Sequence, residues 1–152
     1  MILGRRTFIA LAGSAMLADR SSASPAMRVH KDPTCGCCSA WIDHVRGAGY
    51  AVEAFDTNAM QTIKRRLGVP DDLRSCHTAE IESYVIEGHV PARAIAALLR
   101  QRPNVVGLAV PGMPIGSPGM EIDGNAAEVY AVIAFGSGHP TTFMRFKGHD
   151  PI

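Results

Sequence analysis

Val29-His30-Lys31-Asp32-Pro33-Thr34-Cys35-Gly36-Cys37-Cys38-Ser39-Ala40-Trp41-Ile42-Asp43-His44-Val45 is the stretch whose reading decides the fold. Val29-His30-Lys31 is a short strand that runs directly into Pro33 and the cysteines. From about Cys38 a helix is expected, because Trp41, Ile42 and Val45 form one apolar stripe at helical spacing. Gly47 and Gly49 stop it. The cysteine cluster therefore sits where a strand feeds a helix. A thiol at a helix N-terminus faces unpaired backbone N–H groups and the positive end of the helix dipole, which favour thiolate. Thiolate is the form that attacks disulfides and the form that binds metal.

Working outward, residues 50–55 alternate as a second strand. A second helix is expected from Thr57 or Asn58, carrying Met60, Ile63 and Leu67 inward and ending at Gly68 and Pro70. A third strand is expected over about residues 80–86, turned by Glu87-Gly88 into a short fourth. Pro91 fits the first turn of a helix that buries Ile95, Leu98 and Leu99 and closes at Pro103. This order of elements predicts an α/β, thioredoxin-like domain whose first βαβ unit is a right-handed crossover. An appendage follows it. A Pro/Gly/Met-rich loop spans residues 107–120, and residues 129–135 and 141–146 form a β-hairpin around Gly136-Ser137-Gly138.

Residues 1–26 read as an export signal, leaving 27–152 as the domain. Arg5-Arg6 precedes an apolar run over residues 8–18, too short to span a bilayer but suited to a signal core. Arg5-Arg6-Thr7-Phe8 resembles the twin-arginine motif, and an ordinary secretory signal accounts for the same residues. No later segment approaches ~18 unbroken apolar residues, so no membrane span is expected after the signal. Export places the thiols in an oxidising compartment. With 15 Lys+Arg against 14 Asp+Glu, the chain has no basic excess with which to neutralise a phosphate backbone, which argues against nucleic acid as a partner.

Four cysteines, six histidines and seven methionines point instead to soft-metal or thiol chemistry. Cys35 and Cys38 have the Cys-x-x-Cys spacing that lets two sulfurs converge. Three readings of the cluster stand side by side. Stabilising disulfides, one of them reaching Cys76, suit the exported context. A dithiol oxidoreductase needs only Cys35 as nucleophile and Cys38 as resolver, leaving Cys37 and Cys76 without a role. A soft-metal site uses all four sulfurs. His77 follows Cys76 directly and is expected near the cluster in a thioredoxin-like fold. Met113 and Met120 each follow Pro-Gly, whose type II turn presents the next side chain reproducibly. Thioether sulfur suits Cu(I) and offers little to Zn or hard cations; packing of the loop is the competing role for both methionines. His89 fits core or site equally, His44 is expected on a solvated helix face, and His30 beside the cluster as a supporting group. His139 and His149 are assigned no role.

Residues 31–38 (Lys-Asp-Pro-Thr-Cys-Gly-Cys-Cys), with Trp41 and His44, resemble the periplasmic copper-resistance family typified by CopG, long described as a domain of unknown function. Ser75-Cys76-His77-Thr78-Ala79, Ile86-Glu87-Gly88-His89-Val90-Pro91-Ala92 and residues 107–121 resemble that family's further signatures, in the same order. The resemblance implies a thioredoxin-like fold, periplasmic location and a multinuclear copper cluster bridged by cysteine sulfur. Carried over position by position, it makes Cys35, Cys37, Cys38 and Cys76 sulfur ligands, with His77, Met113 and Met120 as further ligands. Copper ions, cycled between Cu(I) and Cu(II), and periplasmic copper donors or acceptors are the expected partners. This residue set accommodates storage and redox turnover alike.

Overall fold

The computed structural model describes residues 25–136 and 138–152. Apart from Pro25 and Ala26, the expected export signal lies outside these residues, as does Ser137 of the expected hairpin loop. Ala26 already belongs to the first strand. Among the described residues no helix is long and apolar enough to cross a membrane.

Among the described residues the architecture is mixed α/β, an eight-stranded sheet with three α-helices. The first unit runs β1 (Ala26–Lys31), α1 (Gly36–Gly47) and β2 (Ala51–Asp56). β1 and β2 are parallel, with Val29 beside Ala54, as expected of a crossover through a helix. α2 (Met60–Arg66) follows, then a single 3-10 turn at Asp71–Leu73. β3 (Thr78–Ile81) and β4 (Tyr84–Glu87) form an antiparallel hairpin, and α3 spans Ala92–Gln101. β5 (Gly107–Ala109), β6 (Val129–Phe135), β7 (Thr141–Lys147) and β8 (Asp150–Pro151) complete the chain. Across the sheet the order is β2-β1-β3-β4-β5-β6-β7-β8.

Alternation along the strands divides the core into two clusters. Trp41, Ile42 and Val45 of α1 and Ile95 and Leu98 of α3 pack with Val29, Ile86, Leu108 and Val132 in the larger one. Val85, Ala109 and Phe135 point the other way and pack with Val69 and Leu73. Both clusters run through β4, β5 and β6. The C-terminal strands therefore belong to the same sheet and core as the N-terminal unit and do not form an appendage.

Several elements differ from expectation, each for a physical reason. α1 begins two residues before Cys38, so Cys35 is its N-cap residue and Cys37 and Cys38 lie in its first turn. The strand expected over residues 80–86 is two strands, because the chain reverses at Glu82-Ser83. Glu82 adopts a positive φ of 51° there, without the Gly or Asn that normally marks such a turn, and its carboxylate accepts from Arg102 at 2.6 Å. In α2 the fully buried residue is Lys64, while Met60, Ile63 and Leu67 are half-buried. Lys64 Nζ donates to Glu87 at 2.6 Å and to Thr78 Oγ1 at 2.8 Å, which is what lets a charge point inward. Residues 107–109, expected as loop, form β5, parallel to β4 and antiparallel to β6. Gly107 is required in that strand, since a Cβ there would collide with the Val85 carbonyl.

Candidate metal centre

The site is assembled at the N-terminus of α1 from three further segments. Cys35 and Cys38 are joined in a disulfide, with 5.4 Å between their Cα atoms. Cys37 and Cys76 are free thiols. Cys37 Sγ lies 3.5 Å from Cys35 Sγ and 4.0 Å from Cys76 Sγ. The sulfurs of Cys35, Cys37, Cys38 and Cys76 all fall within 4.8 Å of one another. A second group shares Cys76: its sulfur lies 3.2 Å from His77 Nδ1 and 3.0 Å from His89 Nε2. Two donor groups thus meet at one thiol.

The imidazoles are held by the fold. His89 is fully buried, and its Nδ1–H donates to the Pro118 carbonyl at 2.8 Å. That bond fixes the tautomer and turns the Nε2 lone pair toward Cys76, the arrangement in which a histidine ligates metal through one nitrogen while the backbone holds the other. His77 is also fully buried, between the Trp41 ring at 4.3 Å and the His89 ring at 5.1 Å. Its Nε2 has no well-formed hydrogen bond among the described residues. Burial, then the neighbouring His89 and the Lys64 cation, push His77 well below the ordinary histidine range, opposed only weakly by the Gly88 backbone. Burial likewise lowers His89. Both rings are therefore neutral at pH 7 and free to act as ligands. Burial and the adjacent Cys37 push the Cys76 thiol up to about 12, so at neutral pH it carries a proton that a metal ion must displace.

The segment carrying Cys76 and His77 is tied down from below. Glu87 accepts from Ser75 N–H at 2.6 Å, from Lys64 Nζ at 2.6 Å and from Thr78 Oγ1 at 2.6 Å. Every group in this network is satisfied, so the buried pair is tolerated, and it clamps the backbone on both sides of Cys76-His77. From above, the loop of the second Pro-Gly-Met turn presses on α1. A Cβ on Gly119, whose φ is +86°, would lie 2.7 Å from the Cys37 carbonyl oxygen and 2.7 Å from Trp41 N. Trp41 Nε1 donates to Val90 O at 2.9 Å and so joins α1 to the segment that bears His89.

The structure gathers five of the seven residues singled out in the sequence: Cys35, Cys37, Cys38, Cys76 and His77. Met113 is exposed, and it lines an open cavity of about 390 Å³ with Gln61, Arg74, Ser75, Cys76 and Gly112. Met120 is half-buried, one residue beyond Gly119 where the loop rests on α1. Sequence reasoning left His89 undecided, and the structure puts it in the site. The available signal was its position within a family-like signature, Gly88-His89-Val90-Pro91. His30 instead pairs with Glu80 at 3.2 Å and stacks on Phe55. His44, expected to be solvated, is half-buried, and its Nε2 accepts the Ala92 N–H at the start of α3. His149, assigned no role, bonds Glu121 at 2.6 Å and packs edge-on against His44.

A family described as "Protein of unknown function, DUF411" matches residues 73–120, the span from Leu73 through both donor histidines to Met120. No curated protein sequence matches the chain. Two solved structures resemble it over 81% of its length: form 2 of copper resistance protein CopG, at 43% identity and TM-score 0.76, and form 1, at 44% and 0.75. Since 98% of each of those chains is matched, the protein belongs to the CopG copper resistance protein family.

Proposed function

We propose that the protein binds copper at the Cys/His cluster and serves copper resistance outside the cytoplasm, after export to the periplasm. The observation that carries this reading is the position of Cys76: one thiol within 3.2 Å of two buried imidazole nitrogens and 4.0 Å from a second free thiol. Thiolate with imidazole is a donor set for copper of either oxidation state, whereas thiolate with thioether favours Cu(I). The two donor groups sharing Cys76 support a sulfur-bridged site for more than one ion, with Cys35, Cys37, Cys38, Cys76 and His77 as ligands and Met113 and Met120 as thioether partners. His89 is added to that set. The thioredoxin-like assignment draws support from the order β2-β1-β3-β4, with a parallel first pair and antiparallel β3 and β4.

Anaerobic titration of the fully reduced protein with Cu(I), with bound copper and free thiols counted per chain, tests the reading. Stoichiometric uptake with thiol protection is expected; a reduced protein that takes up no copper overturns it. A second reading, a thiol–disulfide oxidoreductase working through Cys35 and Cys38, is favoured by the disulfide between them. It predicts turnover of disulfide substrates that survives Cys76→Ser and Met113→Leu, changes that weaken copper binding under the first reading.

A further inference from the structure

We infer that Cys35 and Cys38 are the electron store of the copper site. As a dithiol they reduce two Cu(II) ions to Cu(I), closing into the disulfide, while Cys37, Cys76, His77 and His89 keep a donor set for the metal. The inference rests on the copper reading above and takes copper as the substrate.

Its basis is the division of labour within one cluster. Of the four cysteines, two are bonded to each other and two remain thiols. A disulfide sulfur is a poor ligand, so closing Cys35–Cys38 removes two donors from the cage. It does not dismantle the cage, because Cys76, His77 and His89 still converge within 4.8 Å and Cys37 remains 4.0 Å from Cys76. The redox pair also touches the donor set directly, since Cys35 Sγ is 3.5 Å from Cys37 Sγ. Electrons leaving the dithiol therefore need no relay to reach a metal held by Cys37 and Cys76.

The balance is two electrons against two ions. Two Cu(II) accept one electron each; the Cys35 and Cys38 thiols lose two electrons and two protons, and one S–S bond forms. The products are two Cu(I), one disulfide and two protons released to water. A cage with two donor groups sharing Cys76 suits a step that needs two metal ions. Resetting the pair requires an external dithiol as reductant. Cys35 is half-buried whereas Cys38 is fully buried, so the incoming thiolate attacks Cys35 and Cys38 leaves as thiolate. A second thiol of the reductant then resolves the mixed disulfide. This assignment makes the dithiol and metal readings two halves of one cycle.

The test begins with reduced protein under anaerobic conditions, freed of reductant. One portion is titrated with Cu(I); failure to bind there overturns the copper reading itself, and this inference with it. A second portion receives two equivalents of Cu(II). Expected are two Cu(I) per chain, detected with a Cu(I)-specific chelator after denaturation, a fall from four free thiols to two, and a peptide-mapped disulfide between Cys35 and Cys38. If Cu(I) binds but Cu(II) leaves all four thiols intact, or the mapped bond joins Cys37 to Cys76, the electron store is disproved while copper binding stands. Cys35→Ser/Cys38→Ser should lose the reduction; a double variant that reduces two Cu(II) as the native protein does would equally sink the idea. The disulfide map of the native chain decides the matter even if that variant fails to fold.

Discussion

The two sides of the candidate centre are built differently. One side is Cys35-Gly36-Cys37-Cys38, contiguous in sequence and positioned by a single helix start. The other side is Cys76, His77 and His89, drawn from two segments above the Lys64–Glu87 network, with both imidazoles buried and Cys76 half-buried. The contiguous side owes its geometry to local backbone and can change its covalent state within one turn. The assembled side depends on β3, β4, α2 and the Pro118 carbonyl, and its imidazoles are locked in place. Disulfide chemistry suits the first and durable ligation the second. The difference teaches that a site can combine a part that reacts with a part that holds.

The sharpest way to break this comparison is to remove the support of the assembled side. Lys64→Met leaves the fully buried Glu87 carboxylate without its cation and should cost roughly 3–5 kcal/mol of stability, read from denaturant midpoints. Lys64→Met with Glu87→Leu should recover part of that loss, because no unpaired charge remains. If the single variant proves as stable as the parent, the network does not carry the assembled side. Next in size, Cys76→Ser should weaken Cu(I) binding by more than about 10–100-fold, the range that supporting groups alone can reach. Mapping should still find the Cys35–Cys38 disulfide in oxidised Cys76→Ser; its loss would mean the two sides are not separable. His89→Ala, which also removes a ligand, should reduce Cu(I) affinity by at least about 10-fold, the lower end of what losing a supporting group costs, measured in competition with a chelator of known strength.

Acidity gives a subtler test. The Cys76 pKa is raised by burial, so its thiol is protonated throughout the neutral range and must release that proton to bind metal. Cu(I) affinity should therefore fall as pH falls, by about tenfold per unit for each proton displaced. Chelator competition between pH 6 and 8 measures this slope, and a flat profile would contradict the assignment of Cys76 as a ligand. Smallest of all, Met113→Leu at the exposed rim of the cavity should change stability by less than about 0.5 kcal/mol. Its effect should lie instead in weaker copper binding, read as faster loss of copper to a chelator.

Legibility in the sequence follows the same division. The helix after the cysteines, the parallel β1–α1–β2 unit and the burial of Ile95 and Leu98 could be read from periodicity, because each depends on near neighbours. Residues 129–135 are legible as a strand from the Gly136-Ser137-Gly138 stretch that follows them. The burial of Lys64 is not legible in the sequence, because a lysine at a buried helical position makes sense only once Glu87 meets it, 23 residues away. The Glu82 turn escaped because it lacks glycine or asparagine and is completed by Arg102 across the fold. His89 is ambiguous for a related reason: a histidine beside Val90 at a strand end reads equally as core, and only the Pro118 carbonyl and Cys76 make it a donor. The C-terminal strands looked separable because β5 is just three residues long. Pairing with both β4 and β6 gives so short a segment its place.

Gly119 has a practical consequence. It carries no donor atom, yet its Cα sits where a single added methyl would strike the Cys37 carbonyl oxygen and the backbone of Trp41. Gly119→Ala is thus a wedge driven between the loop and the helix that carries the cysteines. It leaves every ligand chemically intact and alters only the spacing among them. A designer wishing to loosen the grip of this protein on its cargo, without touching a cysteine or a histidine, would begin there.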